Sequence, residues 1–204
     1  MSQKIIILGS TGSVGTSALN CLDSKNIKVS MLTAKTNVKK LFKQSMKFNV
    51  KNAIIEDKKK YLKYKKIFKK KKINLHLGIK RIDKILKNKV NFCINSISGI
   101  EGLEPTLKII PFTKKILIAN KETIVCGWDI ILKKLNECET QFIPLDSEHF
   151  SIWKLINNEK MQNVDKIVLT ASGGPFLNKK KNQIINIKPE AALKHPNWKM
   201  GKKI

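Results

Sequence analysis

Arginine is almost absent from this sequence: Arg81 is the single arginine among 41 basic residues, and only 15 residues are acidic. The resulting net charge of +26 ordinarily suggests a nucleic-acid or anionic-membrane partner. However, lysine accompanied by abundant Ile and Asn is what A/T-rich codons produce, and the lysine runs at 58–60 and 69–72 lack the aromatics of a base-stacking surface. We therefore interpret the charge as compositional and predict no nucleic-acid partner. A lysine-driven nucleic-acid binder is the competing class, and a salt-dependent DNA shift would expose it.

Long apolar runs are also missing, since none approaches the ~20 residues that a membrane span needs. The chain enters a predicted strand by Lys4, which leaves no room for a signal or transit peptide. No C-x-x-C spacing occurs among the four cysteines, Cys21, Cys93, Cys126 and Cys138. Reduced thiols in a cytosol are the simplest account of them. We expect a cytoplasmic, bacterial protein with no membrane partner.

The most chemically distinctive stretch is residues 142–149, where a short apolar run ends in two carboxylates, a hydroxyl and an imidazole. In an extended or loop conformation, the side chains of Asp146 and Glu148 leave the same side of the backbone and can converge on one ion. All-oxygen ligation favours Mg²⁺ or Mn²⁺ over zinc. The alternatives are a solvated acidic loop or a helix that begins at Ser147.

A glycine turn lies near the start of the chain. Residues 4–8 predict a strand, residues 9–15 have the spacing G-x-x-G-x-x-G, and residues 16–22 have helical spacing. Glycines in this context let the backbone approach a pyrophosphate, whose charge would sit at the helix N-terminus. A tight turn that binds no phosphate is the alternative.

The second predicted strand, residues 28–32, leads to Lys35, Thr36 and Asn37. An NAD-preferring fold would place an acidic residue here for the ribose 2′-hydroxyl, and none is present. These three residues instead favour a 2′-phosphate, and hence NADP. The alternative is a polar loop in which Asn37 caps a helix over residues 38–46, whichever cofactor binds.

Strand and helix patterns alternate through the rest of the first 145 residues, with further strands predicted at 53–56, 73–77, 90–95, 115–119 and 140–145. This alternation predicts an α/β fold with a Rossmann-like, doubly wound parallel sheet. At the carboxyl edge, where open α/β sheets bind ligands, the sequence places Asn120, Lys121 and Glu122. The alternative is that they only cap a helix over residues 123–135.

The last third of the chain carries two further candidate segments. An apolar run at 166–170 leads into a glycine turn whose amides, with the Ser172 hydroxyl, would hold a phosphate or oxyanion. A plain hairpin or loop is the alternative. Farther on, Pro196 breaks a helix and leaves His195 and Trp198 on an irregular segment that would close over a ligand. A structural histidine beside a proline is the competing interpretation.

Taken together, five stretches resemble one family: residues 9–15, 119–122, 144–149, 169–176 and 192–203. In order and spacing they closely resemble the 1-deoxy-D-xylulose 5-phosphate reductoisomerases. The motifs L-x-A-N-K-E, P-x-D-S-E-H, T-A-S-G-G-P-F and L-K-H-P-N-W-x-M-G do not recur together in general dehydrogenases. The resemblance implies a metal-dependent rearrangement of a sugar phosphate, then hydride transfer from NADPH to give 2-C-methyl-D-erythritol 4-phosphate for isoprenoid biosynthesis.

The resemblance also implies roles for individual residues. It implies cofactor contacts at Thr11, Gly12, Ser13, Val14, Lys35, Thr36, Asn37, Asn120, Glu122 and Gly201. It implies metal ligation by two of the family's three carboxylates, Asp146 and Glu148. It implies substrate contacts at Lys121, Ser147, Glu148, Ser172, His195 and the flap residue Trp198. Catalysis would rest on Lys121, Asp146, Glu148 and His195.

Members of that family are considerably longer than this chain. The resemblance therefore implies that residues 1–145 form an NADPH-binding domain and that residues 146–204 begin an α+β catalytic domain. We expect a fragment or truncated gene product that is inactive by itself, and a homodimer when the protein is full length. The alternatives are a catalytically inactive NADP-binding module and another NAD(P)-dependent dehydrogenase, which the D-S-E-H site disfavours.

Overall fold

A computed structural model of the chain describes residues 2–22, 27–171 and 173–194. The chain divides into two compact units, the first ending at Trp153 and the second beginning at Lys154. None of the described helices is long and apolar enough to cross a membrane.

The first unit is built on a seven-stranded sheet in which every pair of neighbours is parallel. Its strands are β1 (Gln3–Leu8), β2 (Ile27–Ala34), β3 (Asn52–Ile55), β4 (Asn74–Leu77), β5 (Val90–Asn95), β6 (Thr113–Ile118) and β7 (Gln141–Pro144). The order across the sheet is β4-β3-β2-β1-β5-β6-β7. The strand order therefore reverses beside β1, where a doubly wound sheet opens a crevice for ligands.

The strands of the first unit alternate with helices α1 (Ser13–Leu22), α2 (Val38–Lys47), α3 (Lys58–Lys70), α4 (Ile82–Ile85), α5 (Leu103–Ile109) and α6 (Lys121–Glu137), and helix α7 (Ser147–Ile156) follows β7 across the boundary at Trp153. Side chains of β1 alternate between two buried clusters. Ile5 and Ile7 join one with residues of α1, α2 and α3, while Ile6 and Leu8 join another with residues of α4, α5 and α6. The sheet is thus covered on both faces, which confirms the predicted doubly wound α/β fold.

Two helices begin earlier than the apolar periodicity predicts. Helix α1 begins at Ser13 rather than at residue 16, and α6 at Lys121 rather than at 123. In each case the first turn consists mainly of polar or small residues, so it adds nothing to the apolar stripe. Such residues are nevertheless favoured in the first turn, where backbone N–H groups lack helical partners.

In the second unit the described residues form short 3₁₀ turns, at Met161–Asn163, Gly174–Phe176 and Lys181–Gln183, and the four-residue helix α8 (Pro189–Ala192). The apolar run at 166–170 has no regular structure, and Val168 and Leu169 are 67% and 60% exposed. Gly173 and Gly174 have φ values of +73° and +62°. This segment is therefore a glycine turn, as expected, since only glycine adopts such angles readily.

Candidate functional site

The glycine loop between β1 and α1 requires glycine at two of its three glycine positions. A Cβ at Gly9, where φ is +74°, would lie 3.0 Å from the carbonyl carbon and oxygen of Ser96. At Gly15 it would lie 2.6 Å from the carbonyl oxygen of Gly9. Gly12 is exposed, and a Cβ there would be 3.4 Å from its nearest neighbour. The first and third glycines thus shape the turn, while the second leaves its backbone open to a ligand.

Neighbouring elements hold this loop in place through hydrogen bonds. The backbone N–H of Ser10 donates to the carbonyl oxygen of Thr33 on β2 at 2.9 Å. The side chain of Gln44 on α2 donates to the Ser10 carbonyl at 2.8 Å and accepts from the Ser10 hydroxyl at 2.9 Å. Lys40 Nζ, also on α2, donates to the Thr11 carbonyl at 3.0 Å. The loop is therefore organised before any ligand binds.

The glycine loop lines a cavity of about 460 Å³, within the usual range for ligand pockets. Thr11 and Gly12 line it together with Lys35 and residues of the turn after β5. Ser13 and Val14 are not among the lining residues; they occupy the exposed first turn of α1. Their backbone N–H groups lie at a helix N-terminus, where a pyrophosphate could accept hydrogen bonds.

Lys35, Thr36 and Asn37 follow β2, as predicted, but their side chains differ in what they contact. Lys35 Nζ is paired with both carboxylate oxygens of Glu101, at 2.6 and 2.8 Å, across the cavity lining. Asn37 is the N-cap of α2, and its Oδ1 accepts from the backbone N–H of Lys40 at 3.1 Å. The capping role that the sequence left open for Asn37 is thus observed, while Lys35 is already engaged by an acid.

A second cavity, of about 390 Å³, lies beside the same loop. Thr36 and Asn37 line it with three lysines, Lys39 from α2 and Lys60 and Lys63 from α3. These lysines are not among the site candidates predicted from the sequence, because the abundance of lysine was interpreted as compositional. No local feature distinguishes them from their neighbours.

The loop after β6 places Asn120 and Lys121 at the same edge of the sheet. Asn120 is buried, and its Nδ2 donates to the Gly99 carbonyl at 2.9 Å. Its Oδ1 is buried without a hydrogen-bond partner among the described residues. A Cβ at Gly102 would lie 2.3 Å from Asn120 Nδ2, so glycine there leaves room for the amide. Lys121 and Glu122 are exposed in the first turn of α6.

Asp146 follows β7 and stands immediately before the first residue of α7. Its carboxylate accepts from the backbone N–H of His149 at 3.4 Å, and the ring Nδ1 of His149 contacts the same oxygen. Partial burial alone would raise the pKa of Asp146, but the hydrogen bonds from His149 and the positive charges of His149 and Lys121 offset it and lower this pKa below its usual value. Asp146 is therefore ionised at neutral pH.

The extended or loop conformation expected around Asp146 and Glu148 is wrong, because helix α7 begins between them at Ser147. Side chains two positions apart on a helix do not face each other, so the argument from a period of two does not bring these carboxylates together. Glu148 is half-buried, and its carboxylate accepts from the Ser147 hydroxyl at 3.1 Å. Among the described residues, no group of three or more His, Cys, Asp or Glu could hold a metal ion.

Four other residues expected at the site, Ser172, His195, Trp198 and Gly201, lie outside the described residues. The residues that the structure does describe suit a dinucleotide, because the glycine loop presents exposed backbone beside a cavity at the point where strand order reverses. The carboxylates of Asp146 and Glu148 are hard oxygen donors of the kind that Mg²⁺ and Mn²⁺ take.

Fold and cleft together define a dinucleotide-binding protein of the doubly wound α/β class. The family model described as 1-deoxy-D-xylulose 5-phosphate reductoisomerase matches residues 5–127, and the model of that enzyme's C-terminal domain matches residues 142–204. The chain belongs to the 1-deoxy-D-xylulose 5-phosphate reductoisomerase family.

Curated relatives from bacteria carry the same enzyme name. The chain is 50% identical over 206 residues to the 1-deoxy-D-xylulose 5-phosphate reductoisomerase of Pelagibacter ubique, an alignment that covers 99% of this chain and 53% of that protein. Identity to the enzyme of a Wolbachia strain from Culex pipiens is 41% over 205 residues, covering 99% and 52% respectively. The chain thus spans about half the length of the curated relatives it matches.

Solved structures agree with this assignment. The reductoisomerase of Zymomonas mobilis in complex with NADPH superimposes with a TM-score of 0.86 at 29% identity, covering 95% of this chain and 52% of that one. A DOX-P reductoisomerase in complex with NADPH, fosmidomycin and magnesium gives a TM-score of 0.83 at 30% identity, covering 98% and 52%.

Proposed function

We propose that the whole protein is an NADPH-dependent reductoisomerase that converts 1-deoxy-D-xylulose 5-phosphate to 2-C-methyl-D-erythritol 4-phosphate with the help of Mg²⁺ or Mn²⁺. The observation that carries this proposal is the match of both family models, in order, to a chain that has an open glycine cleft where the strand order reverses. Residues 1–145 would bind the cofactor, and residues 146–204 would begin the metal- and substrate-binding part.

NADPH, when bound, supplies the hydride, and the residues around the glycine loop hold it in position. Thr11 and Gly12 line the cavity, and the first turn of α1 offers Ser13 and Val14 amides to the pyrophosphate. Asn120 has a free buried acceptor, Oδ1, for a ligand donor. Lys35 must leave Glu101 to reach the nucleotide, at little cost because an ion pair this exposed contributes about 0–1 kcal/mol.

On the substrate side, Asp146 and Glu148 are the proposed metal ligands and Lys121 the nearby cation. A divalent cation bound there would polarise the substrate's carbonyl and hydroxyl oxygens. His149 orients the Asp146 carboxylate and keeps it ionised, and Lys121 contributes to the same effect. Lys121 also provides a positive charge for an anionic sugar phosphate. Contacts from Ser147, Ser172, His195 and Trp198, and from Gly201 to the cofactor, are proposed from the family resemblance alone.

We further propose a cytoplasmic location, which is supported by four unpaired cysteines. The small-molecule substrate is a sugar phosphate. Homodimerisation of the full-length protein and the absence of a nucleic-acid partner remain predictions.

The experiment is an assay of substrate-dependent NADPH oxidation by the full-length protein with Mg²⁺ or Mn²⁺, comparing Asp146→Asn with Asp129→Asn. Asp129 is an exposed carboxylate on α6 and serves as the matched control. Loss of a charged metal ligand should lower turnover on the order of a hundredfold or more, while the control should retain full activity. Unchanged turnover and metal dependence in Asp146→Asn would assign Asp146 to helix capping alone.

A further inference from the structure

The cavity beside the loop after β2 is distinguished by the charge of its walls. Its described lining consists of Thr36, Asn37, Val38 and Tyr64 together with the lysines Lys39, Lys60 and Lys63, and none of these residues carries a carboxylate. The glycine cleft has the opposite balance, because Glu56, Glu101 and Glu104 line it with a single lysine, Lys35, among the described residues. The charge of the lining therefore favours binding of a phosphomonoester in the lysine-lined cavity.

Lys60 is held against the nucleotide loop by contacts at both ends. Its backbone N–H donates to Asp57 Oδ1 at 2.9 Å, which places it in the capped first turn of α3. Its Nζ donates to the carbonyl oxygen of Thr36 at 2.7 Å. An ammonium has three donors, so Lys60 keeps two for a ligand while remaining bonded to the loop. Lys63 lies three positions along the same helix and hence on the same face.

Lys35, unlike Lys60, is paired with a carboxylate. Both oxygens of Glu101 accept from its ammonium, so the positive charge of this lysine in the lining of the glycine cleft is already neutralised by a neighbouring acid. A phosphate that took Lys35 would have to compete with this carboxylate. The described residues that line the cavity of Lys60 and Lys63 include no competing carboxylate.

We propose that Lys60 and Lys63 of α3, with Thr36 and Asn37, form the subsite for the 2′-phosphate of NADPH and set the preference for NADPH over NADH. This inference rests on the proposed NADPH-dependent function. In doubly wound folds the 2′-position of the adenosine ribose is recognised at the end of the second strand, which is where this loop lies. The lysines of α3 thereby supply, beside Thr36 and Asn37, the positive charge that discriminates a phosphate from a hydroxyl.

The test is titration of the chain with NADPH and NADH, and with adenosine 2′,5′-bisphosphate and 5′-AMP as fragment probes. The double variant Lys60→Ala/Lys63→Ala is compared with Lys66→Ala/Lys70→Ala, which removes the same charge from exposed positions of α3 outside the cavity. Lys60→Gln/Lys63→Gln preserves side-chain length, and circular dichroism verifies that each variant is folded.

We expect the cavity variants to raise the dissociation constants of NADPH and the bisphosphate at least about 30-fold, because charge-assisted hydrogen bonds are lost. NADH and 5′-AMP should change less than about threefold. If the control pair weakened NADPH binding as much as the cavity variants do, a general charge effect would replace the proposed subsite. Unchanged NADPH affinity in the cavity variants would also overturn the proposal. If the unmodified chain binds neither dinucleotide, the proposed function itself fails.

Discussion

Gly9 illustrates how one residue sets the shape of the cofactor loop. Its φ of +74° and the 3.0 Å approach of the Ser96 backbone both exclude a side chain. We expect Gly9→Ala to lower the free energy of unfolding by about 1–3 kcal/mol, because the strained backbone and the close contact cannot both relax. NADPH affinity should fall as well, since the loop that carries Thr11 and Gly12 must shift. Urea unfolding and NADPH titration measure the two effects.

Gly12→Ala is the control for Gly9→Ala within the same loop. Gly12 is exposed, has no positive φ, and would place a Cβ 3.4 Å from the nearest atom, so its substitution should leave stability nearly unchanged. Equal destabilisation by the two variants would show that the turn does not depend on the φ angle of Gly9.

Asp146 should make stability depend on pH in a definite direction. Its pKa is lowered in the folded state, so the ionised form stabilises the fold at pH values above the unfolded pKa of about 3.9. This contribution is lost as the pH falls through the lower, folded-state pKa. Asp146→Asn, which retains a capping side chain, should therefore be less stable by about 0.3–1 kcal/mol near pH 6.

The difference between the two proteins should shrink as the pH falls below about 4, because Asp146 then takes up a proton in the unfolded chain more readily than in the folded one, and it should disappear below the folded-state pKa. Urea unfolding between pH 3 and pH 6, with EDTA present, provides the measurement. A difference that stays constant across this range would contradict the assigned pKa direction.

Among the elements, α2 supports the glycine loop through Gln44, which bonds both the carbonyl and the hydroxyl of the fully buried Ser10. We expect Gln44→Ala to lower the free energy of unfolding by about 1–3 kcal/mol, because buried polar groups of Ser10 lose partners. NADPH binding should weaken at the same time. Chemical denaturation and NADPH titration measure this, and Lys43→Ala, an exposed change on the same helix, is the control. Equal losses of stability and of NADPH affinity in the two variants would mean that α2 supports the glycine loop only through the general stability of the helix.

The lysine content of helix α3 does not reveal which of its lysines contact other parts of the protein. Its many lysines indicate a solvated face, and most of them are exposed. Lys60, however, is only partly exposed and bonded to Thr36. The partner lies 24 residues earlier in the chain, so no pattern within the helix identifies this lysine.

At the scale of the molecule, we predict that this 204-residue chain binds NADPH but shows no measurable reductoisomerase turnover. The first unit contains the complete seven-stranded sheet and the glycine cleft. The metal site, by contrast, has two candidate carboxylates among the described residues, and hard cations with so few protein ligands are held weakly. NADPH titration beside an oxidation assay with substrate and Mg²⁺ or Mn²⁺ checks both halves of the prediction.

The full-length protein, assayed in parallel, is the positive control for substrate and metal. Substrate-dependent NADPH oxidation by the 204-residue chain at ordinary enzyme rates would show that the essential residues lie within it. Absence of NADPH binding would instead contradict the first half of the prediction.

Most of the sheet was predictable from the sequence because its signals are local. The strand predicted at 90–95 is observed as Val90–Asn95, and the glycine turn follows β1 as expected. The first residues of the helices were less predictable, because a first turn of polar residues does not contribute to the apolar periodicity from which a helix is predicted. The conformation at Asp146 was mispredicted for this reason: a helix start at Ser147 and an extended acidic loop share the same short polar sequence.

The sequence by itself determined the α/β alternation, the need for glycine between β1 and α1, and the motifs that resemble one enzyme family. These features depend on residues close together in the chain. Only the tertiary structure decided that Lys35 pairs with Glu101, 66 residues away, that Lys60 reaches Thr36, and that Lys121 acts on Asp146. These contacts exist because parallel strands align their carboxyl ends at one edge of the sheet, and which ends become neighbours is set by strand order rather than by sequence distance.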